Sequence, residues 1–326
     1  MKLSEGADSM PYVTVIIATK NRAEAIAEIA LPGLLRQDSL DFEVSVWDAS
    51  DDELTKDAAL KFLPAFKEKG VNLIYTRAPR AGSASQRNDA VRGGGGDVVF
   101  FIDDDCEVAK SGIGTIKDYF DSFKWLKGMG LPLIDKPNAE HKKASALKSI
   151  IKYFFVFIFS FFKKGSALQR NVGASTFNEY PLSDIPGVAE WLSGGDMAFR
   201  ISVFDELQFD ERLQRFGGYA LGEDYDFSHR VFLHFKQPLV VASGAHVIHH
   251  AVVGGRISED YKRVAAICYN TAIIRRNFNR YKKYPLVPFL WKFRFKLLVS
   301  MFLNGCHLRD LVRGFSEYKK ALRETV

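Results

Sequence analysis

Short apolar runs alternate with segments of helical composition through the first third of the chain. Strands are predicted at residues 12–18, 42–47, 71–76 and 97–102, and three of the four end in polar or acidic residues. Strands that alternate with helices form mostly parallel sheets with both faces covered. Ligands of such sheets bind beyond the carboxyl ends of the strands. We therefore predict an α/β fold whose site lies at this edge of the sheet.

Composition excludes several classes of protein. The chain has 326 residues, of which 47% are hydrophobic and 26% charged, and these values are typical of a globular protein. Collagen, a disulfide scaffold and wholesale disorder are excluded. The three cysteines (Cys106, Cys268 and Cys306) form no CxxC pair, which argues against a zinc ribbon and favours a reducing, cytoplasmic setting.

Positive charge is concentrated in two segments. Residues 141–178 contain seven Lys or Arg and residues 261–309 contain eleven, and neither segment contains an acid. The net charge is +6, so the rest of the chain carries −12. Both segments are also rich in Phe, Trp and Tyr. Basic, aromatic segments on an acidic body indicate an anionic membrane surface or nucleic acid as a partner.

Two apolar runs lie in these basic segments. The run at 150–162 is shorter than the ~20 residues that a membrane-spanning helix needs, so a core element and an interfacial segment both stay open. The run at 285–303 is interrupted by Lys292, Arg294 and Lys296. Charges near the centre of a membrane span are costly, so we predict a helix that lies on the bilayer.

A triple acid follows the fourth predicted strand. Asp103, Asp104 and Asp105 repel one another unless a cation neutralises them. Carboxylate oxygens suit Mg²⁺ or Mn²⁺, and Mg²⁺ commonly also takes phosphate oxygens. A solvated acidic turn is the alternative.

Three further motifs follow along the chain. The acids of Gly-Glu-Asp-Tyr-Asp at 222–226 precede a helical pattern, so they are either helix caps or contain a general base. The segment at 191–200 contains paired glycines, which allow close approach of the backbone to a ligand. His246, His249 and His250 follow a predicted strand and include candidate metal ligands.

The order of these motifs resembles family 2 of the nucleotide-sugar glycosyltransferases, over roughly residues 11–255. The resemblance implies a GT-A fold, with a Rossmann-like, mostly parallel central sheet flanked by helices. The matching part is divided into a nucleotide-binding half, a basic and aromatic insertion and an acceptor half. The C-terminal region that follows is basic, aromatic and helical, and we expect it to associate with a membrane. These parts span residues 11–130, 131–178, 179–255 and 256–326, respectively.

The resemblance also implies binding roles for matching residues. Asp48 would accept a hydrogen bond from the base, and Asp103 would contact the ribose. Asp105 would bind a Mn²⁺ or Mg²⁺ ion that bridges the diphosphate, with His249 as a further ligand and His250 as second choice. The other residues placed near the nucleotide are Thr19, Arg22, Arg87 and Asn88.

The catalytic roles follow in the same way. Asp224 would be the base, and Glu223 would orient the acceptor or water. The donor sugar and acceptor would be bordered by Gly194, Gly195 and Asp196. The sequence departs from the family pattern at Ala90, where glycine is frequent, and at Cys106, where a branched or polar residue is common.

The predicted function is therefore inverting transfer of a sugar from a UDP- or dTDP-sugar to a saccharide or lipid-linked hydroxyl. The type resembled acts in bacterial surface-polysaccharide synthesis. The expected location is the cytoplasm, peripherally on the inner face of the plasma membrane, without a nucleic-acid partner. Three alternatives stay open: a metal-dependent nucleotidyl- or phosphotransferase, a non-catalytic nucleic-acid binder that uses the basic run at 262–296, and an inactive scaffold.

Overall fold

The structure is a computed structural model. The apolar run at 150–162, most of the 131–178 insertion and nearly all of the 285–303 run lie outside the residues that it describes. The described residues are 13–136, 168–170, 186–217, 221–252, 257–281, 301 and 306–325.

Four parallel strands form the half of the sheet that carries the acidic strand ends. They are β1 (Val13–Thr19), β2 (Phe42–Asp48), β3 (Asn72–Arg77) and β4 (Val98–Ile102), in the order β3-β2-β1-β4. β1 and β4 are buried on both faces, which explains their continuous apolar sequences. Thr19 pairs with Asp48, so the carboxyl ends of β1 and β2 are level.

The second half of the large sheet is mixed. β10 (Met197–Arg200) lies antiparallel between β4 and β6 (Gly128–Gly130). Beyond β6 the sheet continues through β11 (Leu239–Val241), β9 (Gly187–Ala189) and β8 (Leu168–Arg170). In the described part of the chain the full order is β3-β2-β1-β4-β10-β6-β11-β9-β8.

A second sheet of three short strands stands beside the acidic edge. Its order is β5 (Cys106–Val108), β12 (Val247–His249) and β7 (Leu133–Asp135). β12 is antiparallel to β5 and parallel to β7, and the register sets His249 opposite both Cys106 and Asp135. This small sheet therefore places His249, a predicted metal ligand, close to the triple acid.

Helices cover both faces of the large sheet, over two separate apolar cores. A continuous helix spans 23–35, and its middle turn, Ile26–Ala30, is π-helical. Two 3₁₀ helices span Ile201–Asp205 and Glu211–Gln214. The other described helices are Leu54–Leu60, Leu63–Glu68, Ser83–Gly93, Gly112–Ser122, Glu223–Phe235, Asp260–Asn279 and Leu308–Thr325.

The predicted α/β architecture, with its mostly parallel central sheet flanked by helices, is confirmed. In the C-terminal region, helix Leu308–Thr325 packs closely on helix Asp260–Asn279. A Cβ atom at Gly314 would lie 2.6 Å from the carbonyl oxygen of Tyr261, so only glycine fits this crossing. Among the described residues, we find no helix with both the length and the apolar character that a membrane span requires.

Candidate active site at the carboxyl edge of the sheet

The triple acid forms a turn at the end of β4. Its hydrogen-bond donors include residues at the end of β1 and just after it. Thr19 Oγ1 donates a 2.7 Å hydrogen bond to Asp104 Oδ2. Arg22 donates from Nε to Asp104 Oδ1 at 3.1 Å and from Nη2 to Asp105 Oδ2 at 2.7 Å. Burial raises the pKa of Asp104 to about 7, and Arg22 and Thr19 oppose that rise. Asp104, to which the sequence assigned no role of its own, therefore anchors Arg22 and the end of β1.

Two carboxylates and one imidazole converge beside this turn. Oxygens of Asp103 and Asp105 and the Sγ atom of Cys106 all lie within 4.8 Å of one another. His249 Nε2 lies 3.6 Å from Asp105 Oδ1, and its Nδ1 lies 2.8 Å from Asp135 Oδ1. A carboxylate on the far nitrogen is the usual arrangement of a metal-bound histidine. The two carboxylates suit Mg²⁺ or Mn²⁺, so these donors fit the predicted ion.

Cys106 and His250 are less suited to bind such an ion. Burial, together with Asp103 and Asp105, raises the pKa of the Cys106 thiol, and a protonated thiol is a poor ligand for a hard cation. The His250 ring faces Glu107, with Nε2 2.9 Å from Oε2. The geometry thus favours His249 over His250.

Arg87 links the triple acid to the Gly-Glu-Asp-Tyr-Asp motif at 222–226. It lies on helix Ser83–Gly93 and is buried. Nη1 donates to Glu223 Oε1 at 2.6 Å, and Nη2 donates to Asp103 Oδ1 at 3.0 Å and to the carbonyl of Gly194 at 3.4 Å. Burial and Asp224 raise the pKa of Glu223, whereas Arg87 lowers it. Glu223 therefore holds Arg87 in place, and its predicted contact with the acceptor stays a prediction.

The paired glycines lie between Asp103 and Asp224. The Gly194 N–H donates a 2.9 Å hydrogen bond to Asp224 Oδ2. A Cβ atom at Gly195 would lie 2.8 Å from Cys106 Sγ and 3.4 Å from Asp103 Oδ2, so a side chain has no room there. Asp196 is fully buried, and its N–H closes the turn by donating to the Ser193 carbonyl.

Asp224 is the second residue of helix Glu223–Phe235. Gly222 precedes it in the left-handed region, with φ 85°, a conformation that favours glycine. Asp224 is partly exposed and accepts one backbone N–H on each oxygen, from Gly194 and from Tyr225. The two predicted acidic groups thus lie on either side of one glycine pair.

Asp48 lies at the end of β2 and is completely buried. Its Oδ1 accepts hydrogen bonds from the N–H and the hydroxyl of Ser50. Its Oδ2 accepts from the Tyr75 hydroxyl at 2.7 Å and from Arg77 Nη1 at 3.2 Å. Protein donors already engage both oxygens, and the hydrogen bond to a base stays a prediction.

Asn88 is not brought to the triple acid. Its Nδ2 donates to the Phe209 carbonyl at 3.0 Å, and its Oδ1 accepts from the Phe209 N–H at 2.9 Å. The Asn88 amide thus satisfies both the N–H and the carbonyl of Phe209. Asn88 docks the 209–211 segment against helix Ser83–Gly93.

The sequence did not point to two further residues at this edge. Gln86 Nε2 donates to the carbonyls of Thr19 and Trp47, at 3.0 and 2.7 Å, and so joins the ends of β1 and β2. Nothing in its local pattern distinguishes it from a surface glutamine. Asp135 directly follows a short apolar run, so it shares the strand-end signal of Asp103.

Comparison with a protein-family model places these residues in context. The model described as glycosyl transferase family 2 matches residues 14–163, which contain β1 to β7. The search of curated proteins found no match.

Solved structures are similar over most of the chain. S. aureus TarS 1-349 in complex with UDP-GlcNAc is 17% identical, with a TM-score of 0.60 over 95% of this chain and 81% of that one. The mannosyltransferase PcManGT from Pyrobaculum calidifontis, in complex with GDP-Man and Mn²⁺, is 17% identical, with a TM-score of 0.52 over 97% and 76%. GalNAc-T7 with UDP, GalNAc and Mn²⁺ is 15% identical, with a TM-score of 0.54 over 89% and 55%.

At these identities the structural likeness shows the fold alone. The fold and the acidic edge define an α/β protein of the GT-A-like class. The family match indicates that residues 14–163 resemble glycosyltransferase family 2.

Proposed function

We propose that the chain is a metal-dependent, inverting glycosyltransferase that moves a sugar from a nucleoside-diphosphate sugar to an acceptor hydroxyl. One observation carries this proposal: the Gly194–Gly195 pair lies between Asp103 and Asp224. Gly194 donates a hydrogen bond to Asp224, and Gly195 lies close to Asp103. A diphosphate site and a base are thereby adjacent, although the two acids are far apart in sequence. The family match and the nucleotide-sugar complexes of the structural neighbours support the assignment.

Asp224 is the base in this mechanism. Each of its oxygens accepts one backbone N–H, so each keeps a lone pair for the proton of an acceptor hydroxyl. The acceptor oxygen attacks the anomeric carbon from the face opposite the departing diphosphate. One carboxylate suffices for this single displacement, and no covalent intermediate forms.

Asp105 and His249 would hold the Mn²⁺ or Mg²⁺ ion. Asp103, for which contact with the ribose is predicted, has an oxygen within 4.8 Å of an Asp105 oxygen and is a further candidate ligand. When bound, the ion offsets the charge that develops on the departing diphosphate. The surrounding chain fixes the ligands. Arg22 Nη2 and the Val252 N–H both donate to Asp105 Oδ2, at 2.7 and 3.0 Å, and this turns Oδ1 toward His249.

The donor base is assigned to the end of β2. Asp48 would accept the N3–H of uracil or thymine in place of the hydrogen bond that Tyr75 or Arg77 donates to Oδ2, so UDP- and dTDP-sugars are the proposed donors. Thr19 and Arg22 lie at the neighbouring end of β1 and contact the triple acid, which favours a nucleotide that spans both strand ends. The neighbours' complexes include both UDP and GDP sugars, so a donor panel is the direct test.

The acceptor is proposed to be a saccharide or lipid-linked saccharide of surface-polysaccharide synthesis, used at the inner face of the plasma membrane. The basic and aromatic segments at 141–178 and 261–309 support this location. On helix Leu308–Thr325, Leu308 and Val312 are 68% and 64% exposed, beside exposed lysines and arginines. The full chain should co-sediment with anionic vesicles more than with neutral ones. Equal binding to both, or binding to neither, contradicts the electrostatic attachment.

The decisive experiment measures nucleoside diphosphate release from UDP-, dTDP- and GDP-sugars with Mn²⁺, Mg²⁺ or a chelator. Metal-dependent release from one donor supports the proposal, and Asp224→Asn should abolish transfer while nucleotide affinity persists. Asp121→Asn, which changes an acid outside the site, is the matched control. Release of sugar 1-phosphate instead, with transfer of the nucleoside monophosphate, would indicate a nucleotidyltransferase. No release and no metal-dependent nucleotide binding would contradict the proposal.

A further inference from the structure

Helix Asp260–Asn279 lies beyond the 14–163 family match and packs against the catalytic helix Glu223–Phe235. Two asparagines lie on its buried side, Asn270 and Asn277, which are 2% and 3% exposed. Residues seven apart are about two helical turns apart and share a face. Buried amides need hydrogen-bond partners, and the partners here belong to the catalytic region.

Asn277 binds the first turn of the catalytic helix. Its Nδ2 donates to Asp226 Oδ1 at 2.9 Å and to Asp210 Oδ2 at 2.8 Å. Its Oδ1 accepts from Arg212 Nη2 at 2.9 Å. Asp226 is fully buried, lies two residues after the base and accepts from Arg230 Nε on its other oxygen at 2.8 Å. The Asn277 amide therefore fixes a buried carboxylate that lies two residues after Asp224 on this helix.

Asn270 binds the chain just before the same turn. Its Nδ2 donates to the carbonyls of Leu213 and Leu221, at 2.8 and 2.9 Å. Between the two asparagines, Ile274 covers Gly222, where an added Cβ would lie 3.3 Å from Ile274 Cδ1. One face of the helix thus contacts three positions in the stretch that holds the base.

The buried face of helix Asp260–Asn279 is also linked to Arg87, through Asp210 and Phe209. Asp210, which Asn277 binds, directly follows Phe209. The Phe209 backbone pairs with Asn88, and its ring centre lies 5.7 Å from the Arg87 guanidinium carbon. Helix Asp260–Asn279 is therefore connected to Arg87 as well as to Asp224.

We infer that helix Asp260–Asn279 is a positioning element of the active site, and that Asn270 and Asn277 are its positioning residues. They act through Leu221, Asp226 and Asp210, and they touch neither donor nor acceptor. This inference rests on the proposed function, in which Asp224 is the base. Small displacements of a reacting group can reduce turnover by about 100-fold without weakening substrate binding. The asparagines should accordingly affect kcat much more than the donor KM.

The test uses the full chain with Asn270→Ala and Asn277→Ala. Asn279→Ala, on the exposed side of the same helix, is the matched control. We expect kcat for donor turnover to fall by about 10- to 100-fold in both variants, with donor KM and metal-dependent UDP affinity within about twofold of wild type. An unchanged kcat, or equal losses of kcat and UDP affinity in both variants, would overturn the inference.

Folding and function are separated by a second measurement. Asn277→Ala removes a hydrogen-bond donor from the carboxylates of Asp226 and Asp210. Asn270→Ala removes a donor only from backbone carbonyls, so Asn270→Ala decides if Asn277→Ala fails to fold. Hydrogen exchange should become faster in the peptide covering 221–235 and stay unchanged in β1. If the wild type neither turns over a donor nor binds a nucleotide in the presence of metal, the proposed function fails. In that case, and whenever no turnover can be measured, exchange alone decides. Unchanged exchange at 221–235 would then overturn the inference.

Discussion

Arg87 and Glu223 form a buried ion pair across 136 residues of sequence, with Nη1 2.6 Å from Oε1. Only 4% and 7% of the two side chains are exposed. The same guanidinium binds Asp103, so one cation neutralises acids from both halves of the site. A buried charge is tolerated only when it is paired, so the buried Glu223 depends on Arg87, whereas the Asp103 side chain is 44% exposed.

Arg87→Ala should therefore destabilise the protein strongly. Removing one partner of a buried ion pair costs about 3–5 kcal/mol, because the remaining charges stay buried without compensation. Denaturant unfolding measures this loss. Arg92→Ala on the same helix is the control, because its pair with Asp89 is at the surface and should contribute about 0–1 kcal/mol. Similar losses for the two variants would contradict the role of Arg87.

Gly195→Ala tests the close approach of the glycine pair to the triple acid. The new methyl group would lie 2.8 Å from Cys106 Sγ, so the Asp103 side of the site must shift. We expect the kcat/KM of donor turnover to fall by about tenfold or more. Adding Cys106→Ala removes the clashing sulfur and should restore part of the activity.

Gly114→Ala is the matched control for this substitution. The nearest atom to its added Cβ is 3.7 Å away, and the residue lies inside helix Gly112–Ser122. Its activity should equal that of wild type. If the double variant is as impaired as Gly195→Ala alone, steric conflict with Cys106 is not the cause.

Much of the first half of the sheet could be predicted from sequence, for a physical reason. Parallel strands buried on both faces are continuous apolar runs, so β1, β2 and β4 were recognisable to within a residue or two at each end. The acids at the ends of β2 and β4 then had to meet at one edge. The mixed half was harder, because β6 and β11 are only three residues long.

Partners distant in sequence could not be predicted. Asn88 and Arg87 are neighbours in one motif, but helical geometry turns them to different partners, Phe209 and Glu223. The choice between His249 and His250 depends on the pairing of β12 with β7, which sets His249 beside Asp135. His250 follows the last residue of β12, and its ring faces Glu107 instead.

His249→Ala should weaken Mn²⁺ binding more than His250→Ala does. The His249 ring faces Asp105, whereas the His250 ring faces Glu107. Asp135→Asn should lower Mn²⁺ affinity by about 10- to 100-fold, because it removes the carboxylate that orients His249. Titration of Mn²⁺ by electron paramagnetic resonance measures all three affinities without requiring turnover. A larger loss in His250→Ala would reverse the assignment.

His229 should make the stability of the protein sensitive to acid. Its ring is fully buried in the catalytic helix, with Nδ1 2.9 Å from the Glu190 carbonyl and Phe278 4.6 Å away between ring centres. Burial lowers its pKa from 6.5 to about 4, and the Glu190 carbonyl opposes this. Below pH 6.5 the unfolded chain gains a proton that the folded chain excludes. The contribution of His229 to the free energy of unfolding is therefore fully present above pH 6.5. This contribution falls by about 3 kcal/mol as the pH approaches 4.

The difference in unfolding free energy between wild type and His229→Gln isolates this effect from acid-sensitive carboxylates, which both proteins share. Glutamine retains an N–H donor and does not titrate. The unfolding free energy of the wild type minus that of His229→Gln should therefore decrease by about 3 kcal/mol between pH 7 and 4. A constant difference for His229→Gln would mean that His229 is protonated in the folded protein as readily as in the unfolded chain.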